Sequence, residues 1–246
     1  MKNWRQYLLI TLDVAIAVYV VLAMTAFNKP DNADGSCTEV RIAIRQDAIG
    51  GFLTQKDIQK MLIDNGIYPL GKPMSSVSLR QIEEFLQQNK LIGQAEVFST
   101  PDNRVNITVV QRIPVVRILS GDGADYYVDS QGVPMPRSPY TSDVIVATGH
   151  ITQDYARTRL APLACQLLED DFWNSQIEQL NVLADGSLEM VPRVGGHIVY
   201  LGQPVRIAKK LERLAKFYRF GLSRVGWNRY SRISVEFDNQ IICKKK

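Results

Sequence analysis

The sequence predicts an α+β protein. One N-terminal transmembrane helix precedes a small domain ordered strand-helix-helix-strand-strand, and a larger, mostly antiparallel β-sheet domain with helices on one face follows. Three observations carry this. Tyr7 to Phe27 is an apolar run holding a single charge, Asp13. Residues 37–117 switch between period-two and helical patterning in that order. Residues 118–246 hold short apolar strands punctuated by Gly- and Asp-bearing turns. The expected segments are a tail (1–6), the helix (7–27), a linker (28–36), a first external domain (37–117) and a second (118–246).

A bilayer core needs ~20 apolar residues at helical rise, the length of the Tyr7–Phe27 run. Lys2 and Arg5 precede the run; Lys29, Asp31 and Asp34 follow it closely. The positive flank therefore predicts a cytoplasmic N-terminus, with everything after Phe27 on the outer side of the membrane. Trp4, Tyr7 and Phe27 suit interfacial anchoring. Asp13 has two readings: a contact to a partner helix, or a carboxyl close to the headgroups or protonated. A cleaved signal peptide is the rival reading of the run, but its apolar core is usually ~7–15 residues, and no clean Ala-x-Ala site follows.

At 246 residues and 46% hydrophobic, the chain can bury cores in two external domains. A net charge of +4, partly from Lys244 to Lys246, is not a nucleic-acid pattern. Cys37, Cys165 and Cys243 are too few and too scattered for a disulfide framework; one bridge or three free thiols both fit.

In the first domain, Val40, Ile42 and Ile44 alternate with polar residues as a half-buried strand, broken by Gly50-Gly51. Thr54 with Asp57 reads as a capping box for a helix bearing Ile58, Met61 and Leu62, stopped by Asn65-Gly66. Ser78, with Gln81 three residues on, opens a second helix whose apolar stripe is Leu79, Ile82, Phe85 and Leu86. Ala95–Phe98 and Val105–Val110 are strands around a Pro101-Asp102-Asn103 turn.

In the second domain, Tyr126–Val128 and Val144–Ala147 are strands. Thr152 caps a helix that Pro162 must break or restart. Leu163, Leu167 and Leu168 continue its apolar face, Glu169-Asp170-Asp171 ends it, and Phe172 and Trp173 pack under the sheet. Strands follow at 177–182, 188–191 and 197–201, with a hairpin at Asp185-Gly186. Pro204 suits the start of a helix whose buried face is Ile207, Leu211, Leu214 and Tyr218 and whose stop is Gly221; Lys209, Lys210, Arg213, Lys216 and Arg219 take the rest. Ile233–Phe237 and Gln240–Cys243 form a closing hairpin around Asp238-Asn239.

Catalytic and metal chemistry find little support. His150 and His197 have no Cys or Glu at ligand spacing, and no Gly-x-Ser-x-Gly elbow occurs. Asp122, Asp125 and Asp129 miss the calcium-loop spacing and read as turn residues. No catalytic residue, metal site, cofactor or small-molecule substrate is expected, so function must lie in surfaces. A closing strand often lies at a sheet edge with unpaired backbone groups. The expected partner-binding residues are Ile233, Val235, Phe237, Ile241, Ile242 and Cys243 along the hairpin, with Lys209, Arg213 and Arg232 facing acidic residues of a partner. Ile233, Val235 and Phe237 share the face expected to pack on the helices.

The first domain resembles the polypeptide-transport-associated (POTRA) domain. Asn89-Lys90-Leu91-Ile92, Ala95-Glu96-Val97, Val105-Asn106-Ile107-Thr108-Val109 and Gln111-Arg112-Ile113-Pro114-Val115-Val116-Arg117 resemble the FtsQ/DivIB cell-division family. So do the Tyr126–Pro134 hairpin and Ser231–Asp238. Gln111 stands where many members carry Glu, and the chain's three closing lysines replace a further aromatic of some members. The resemblance implies a non-catalytic bitopic scaffold of the divisome. It would bind FtsB/FtsL-type bitopic partners through its closing strands and preceding helix, and other divisome components through the POTRA-like domain and the membrane helix. A membrane-tethered periplasmic hydrolase and a POTRA-type transport adaptor are the alternatives.

Overall fold

The computed structural model describes residues 4–26, 35–45, 52–137 and 143–246, and of residues 5–11 and 23–26 the backbone alone. Phe27, most of the linker, Gly50-Gly51 and the side chain of Tyr7 lie outside the described residues. Helix α1 (Trp4–Ala26) is continuous over 23 residues. From Leu12 to Leu22 every side chain is exposed, Asp13 included, and no apolar face is distinguished from a polar one. Among the described residues no helix is long and apolar enough to cross a membrane; beyond Trp4, the described side chains of α1 run only from Leu12 to Leu22, less than a span needs.

The first domain follows the expected order: β1 (Glu39–Arg45), α2 (Gln55–Asp64), α3 (Leu79–Gln87), β2 (Ile92–Ser99) and β3 (Arg104–Gln111). The sheet order is β1-β3-β2, with β1 parallel and β2 antiparallel to β3. Both helices start where their capping residues stand. Asp57 N–H donates to Thr54 Oγ1 (3.2 Å) while the Asp57 carboxylate accepts from Thr54 N–H (2.8 Å). Ser78 Oγ accepts from Gln81 N–H (3.2 Å). The central strand β3 alternates, burying Val105, Ile107 and Val109 against Ile58, Leu62, Ile82 and Leu86. In the α3 stripe Leu79 and Phe85 are only partly buried.

The second domain holds β4 (Pro114–Ser120), β5 (Asp125–Asp129), β6 (Pro134–Met135), β7 (Ile145–Gly149), α4 (Gln153–Tyr155), α5 (Ala161–Glu169), α6 (Asp171–Gln176), β8 (Ile177–Val182), β9 (Leu188–Pro192), β10 (Ile198–Gly202), α7 (Ile207–Phe217), α8 (Ser223–Val225), β11 (Tyr230–Ser234) and β12 (Ile242–Lys245). The strands form one nine-stranded sheet, ordered β12-β11-β10-β9-β8-β7-β4-β5-β6. The pairings β4–β7, β7–β8 and β10–β11 are parallel; the other five are antiparallel. Inward side chains such as Ile118, Leu180, Met190, Val199 and Ile233 share one core with Leu160, Leu167, Trp173, Leu214 and Tyr218 from the helices.

Several sequence expectations shift here. The boundary between Arg117 and Ile118 falls inside β4, because residues 114–117 already pair with the second sheet. Pro162 restarts the helix through a π segment, Ala156–Leu160, which opens the turn that a proline would otherwise crowd. Asp170 caps α6 by accepting from Phe172 and Trp173 N–H; Trp173 is buried, whereas Phe172 stays largely exposed. Pro204 lies ahead of α7 rather than inside it, because Arg206 takes the left-handed conformation (φ 53°) and resets the chain. Gly221 does not stop the helix: a π segment (Tyr218–Leu222) carries it on to Gly226, whose φ of 95° ends it. Lys210 is buried rather than solvated, donating from Nζ to the carbonyls of Leu201 (2.7 Å) and Gln203 (2.9 Å).

Contacts among the described residues join the domains. Phe52 packs on Tyr127 with ring centroids 4.9 Å apart, beside Met135. Arg112 meets the buried carboxylate of Asp129 at 2.8 Å.

Candidate interaction surface

The expected hairpin exists, with its strands displaced. Ile233 pairs with Cys243 and Ser234 with Ile242. On its outer side β12 has no neighbouring strand among the described residues, so the edge runs along Ile242–Lys245. Half of an edge strand's N–H and C=O groups point away from the sheet. Lys244 and Lys245 stand exposed on this edge.

The predicted contact residues separate into three groups. Ile233 and Val235 are fully buried in the core, so their side chains face the helices. Ile241 and Cys243 pack half-buried against the same core. Phe237 and Ile242 are 50% and 51% exposed. Phe237 therefore does not continue the packed face of Ile233 and Val235, because β11 ends at Ser234. The chain then bends, held by Arg206 on Asp238 (2.6 Å), into a turn where Asn239 has φ 63°.

The three predicted cations also divide. Lys209 is exposed on α7. Arg213 donates to the carbonyl of Val235 (2.7 Å) and stands 3.7 Å from Asp238. Arg232 meets Glu189 on β9 (2.7 Å), its guanidinium 4.5 Å from the Tyr200 ring centroid on β10. Period-two patterning places Glu189 opposite its buried neighbours, but nothing local in the sequence names a partner so distant. Lys210 left a local signal: it holds the i+3 position of the Ile207, Leu211, Leu214 stripe.

The aspartates among the remaining candidates, and His197, are engaged within the fold. Asp125 pairs with Arg117 through both carboxylate oxygens (3.1 and 3.0 Å), which holds its carboxyl below the usual range. Asp122 and Asp129 accept turn N–H groups. His197 is buried with Nε2 2.9 Å from Tyr218 Oη, and desolvation lowers its pKa. His150 is exposed. Cys37, Cys165 and Cys243 are free thiols. No group of three or more His, Cys, Asp or Glu able to hold a metal occurs among the described residues. A hollow of about 410 Å³ beside Tyr126 carries one acid and one base, Asp154 and Arg157, paired at 3.5 Å. A hollow of about 360 Å³ beside Phe172 is lined chiefly by aromatic and small side chains.

Comparison with known proteins places both domains. A family described as FtsQ/DivIB, C-terminal related, matches residues 113–244, and a POTRA-like domain matches residues 35–110. No curated protein matches the chain. The first match spans more than half of the sequence and begins one residue before the first strand of the large sheet, the second ends one residue short of the close of β3, and on that footing the chain belongs to the FtsQ/DivIB family of non-enzymatic cell-division proteins.

Proposed function

We propose that this chain is a single-span scaffold of the division machinery that takes up a partner segment as an added strand along β12. The free edge of β12, at one end of a nine-stranded sheet whose other end is the two-residue strand β6, carries the reading. A partner strand would gain hydrogen bonds worth about 0.5–1.5 kcal/mol each. Exposed Phe237 and Ile242 offer apolar contacts beside it, and Lys209 and Lys244 favour acidic neighbours. The family supports FtsB/FtsL-type bitopic proteins as the partners, with other divisome components at the POTRA-like domain. Helix α1, exposed on all described sides and apolar there apart from Asp13, supports a lipid-embedded span with Trp4 near one interface. The positive residues before it favour an N-terminus in the cytoplasm and both domains in the periplasm.

The test is proline at Ile242 and, separately, at Cys243. Adjacent N–H groups of a strand point to opposite sides, so one of the two variants removes an outward donor. That variant should capture about two- to tenfold less FtsB/FtsL-type protein from envelope extracts, the loss of one such bond. Undiminished capture by both variants, each still folded, would sink the edge assignment. A reporter active only outside the cytoplasm, fused after Lys246, should be active.

A further inference from the structure

We propose that Arg232 acts as a positioning residue: it is the strut that fixes the β11–β12 hairpin on the sheet and so sets where the free edge lies. The inference rests on the strand-addition reading for its functional meaning, though not for its geometry. Pairing of β10 with β11 spans only Ile198–Tyr200 against Arg232–Ser234, extended by Val235 N–H to the Tyr200 carbonyl (3.0 Å). Such a short parallel seam leaves the hairpin dependent on side chains. On the face away from the helices, the Arg232 side chain crosses β10 over Tyr200 and ends on Glu189 of β9. Three strands are thereby tied by one residue.

The tie continues inward. The second Glu189 oxygen accepts from Asn181 Nδ2 on β8 (3.1 Å). Asn181 Oδ1 accepts from Thr148 on β7 (3.3 Å), and the Thr148 hydroxyl accepts from Gln179 (2.8 Å). A polar ladder thus runs from the hairpin to the middle of the sheet. Glu189 is 8% exposed, so its carboxylate needs these donors. Arg232 also stands in register with Lys244 across the hairpin. Like charges placed directly opposite push strands apart, and Glu189 offsets that repulsion. From the helix side, Arg213 grips the carbonyl of Val235. The hairpin is therefore held on both faces by arginines whose forks are engaged within the fold.

Cys243 gives a reporter that needs no partner. It lies opposite Ile233, half-buried against the core, and becomes accessible if the hairpin swings away. Iodoacetamide labelling of the full chain, read peptide by peptide, follows Cys243 beside Cys165 in α5 and Cys37 in the other domain. In Arg232→Gln, Cys243 should label about tenfold faster while Cys37 and Cys165 keep their rates, the mark of a local opening. Arg232→Lys, which keeps the charge but loses the fork, should fall between the parent and Arg232→Gln. A Cys243 rate in Arg232→Gln within about twofold of the parent would overturn the proposal. So would Cys165 rising in step with Cys243 in both variants, because the whole domain would then be loosening. Arg232→Lys with Cys243 still protected but capture of the FtsB/FtsL-type protein lost would also overturn it, by making the guanidinium a partner contact. Failure of the edge assignment looks different: proline in β12 leaves capture intact, whatever Cys243 does in the Arg232 variants.

Discussion

Gln111 illustrates how one side-chain amide can satisfy both backbone groups of a distant residue. It is 7% exposed; Oε1 accepts from Leu53 N–H (3.1 Å) and Nε2 donates to the Leu53 carbonyl (2.7 Å). A carboxylate could make only the first of these bonds and would face a carbonyl with the second oxygen. Gln111→Glu should therefore destabilise the chain by about 1–3 kcal/mol at pH 7, measured by urea unfolding. Burial beside a carbonyl would raise the folded-state pKa of the new Glu above the ordinary value of about 4.3. The protonated form can donate again, so the deficit should be absent below the unfolded pKa and should grow as pH rises through the folded one. A deficit that does not change with pH would place the defect elsewhere. The sequence indicated a departure at Gln111 but not its purpose, since Leu53 lies far away along the chain.

At the scale of elements, what was legible followed local chemistry. The capping residues Thr54, Ser78 and Thr152 mark real helix starts, since each accepts from a backbone N–H three residues on. Asp185-Gly186 and Asn65-Gly66 sit at real turns, with φ of 78° at Gly186 and 68° at Gly66. What was not legible depended on tertiary partners. The end of β11, the left-handed Arg206 and the late end of α7 answer to Asp238 and to the packing of Tyr218 and Leu222. In α3 the stripe was right in phase but uneven in depth. Leu86 is fully buried and Phe85 only partly. Leu86→Ala should cost about 2–5 kcal/mol and Phe85→Ala less than a fully buried phenylalanine would. Denaturant unfolding of the two variants side by side checks this, and an equal or larger loss at Phe85 would mean that the helix is rotated from its described setting. Of the candidate site, the hairpin and its edge were legible from the strand pattern. The engagement of Arg213 and Arg232 was not, because their partners come from other strands or the turn.

Across the whole molecule, the junction between domains includes a small apolar cluster around Phe52 and Tyr127 and the ion pair of Arg112 with Asp129. Phe52, 2% exposed, belongs to the first domain's side of the junction and Tyr127 to the second. Removing the ring should cost about 3–5 kcal/mol, as buried Phe truncations do. Phe52→Ala should then split a shared thermal transition into two, seen by calorimetry; a single transition shifted as a whole would place the coupling elsewhere. At the opposite end of the nine-stranded sheet lies the lysine-bearing edge. Were two copies to meet there as antiparallel strands, Lys244 and Lys245 of one would approach those of the other. Two molecules brought close would thus repel at the edge proposed above for strand addition. Salt screens exposed charge over about 8 Å at physiological ionic strength. The protection is therefore strongest in dilute media, and self-association should become easier as ionic strength rises.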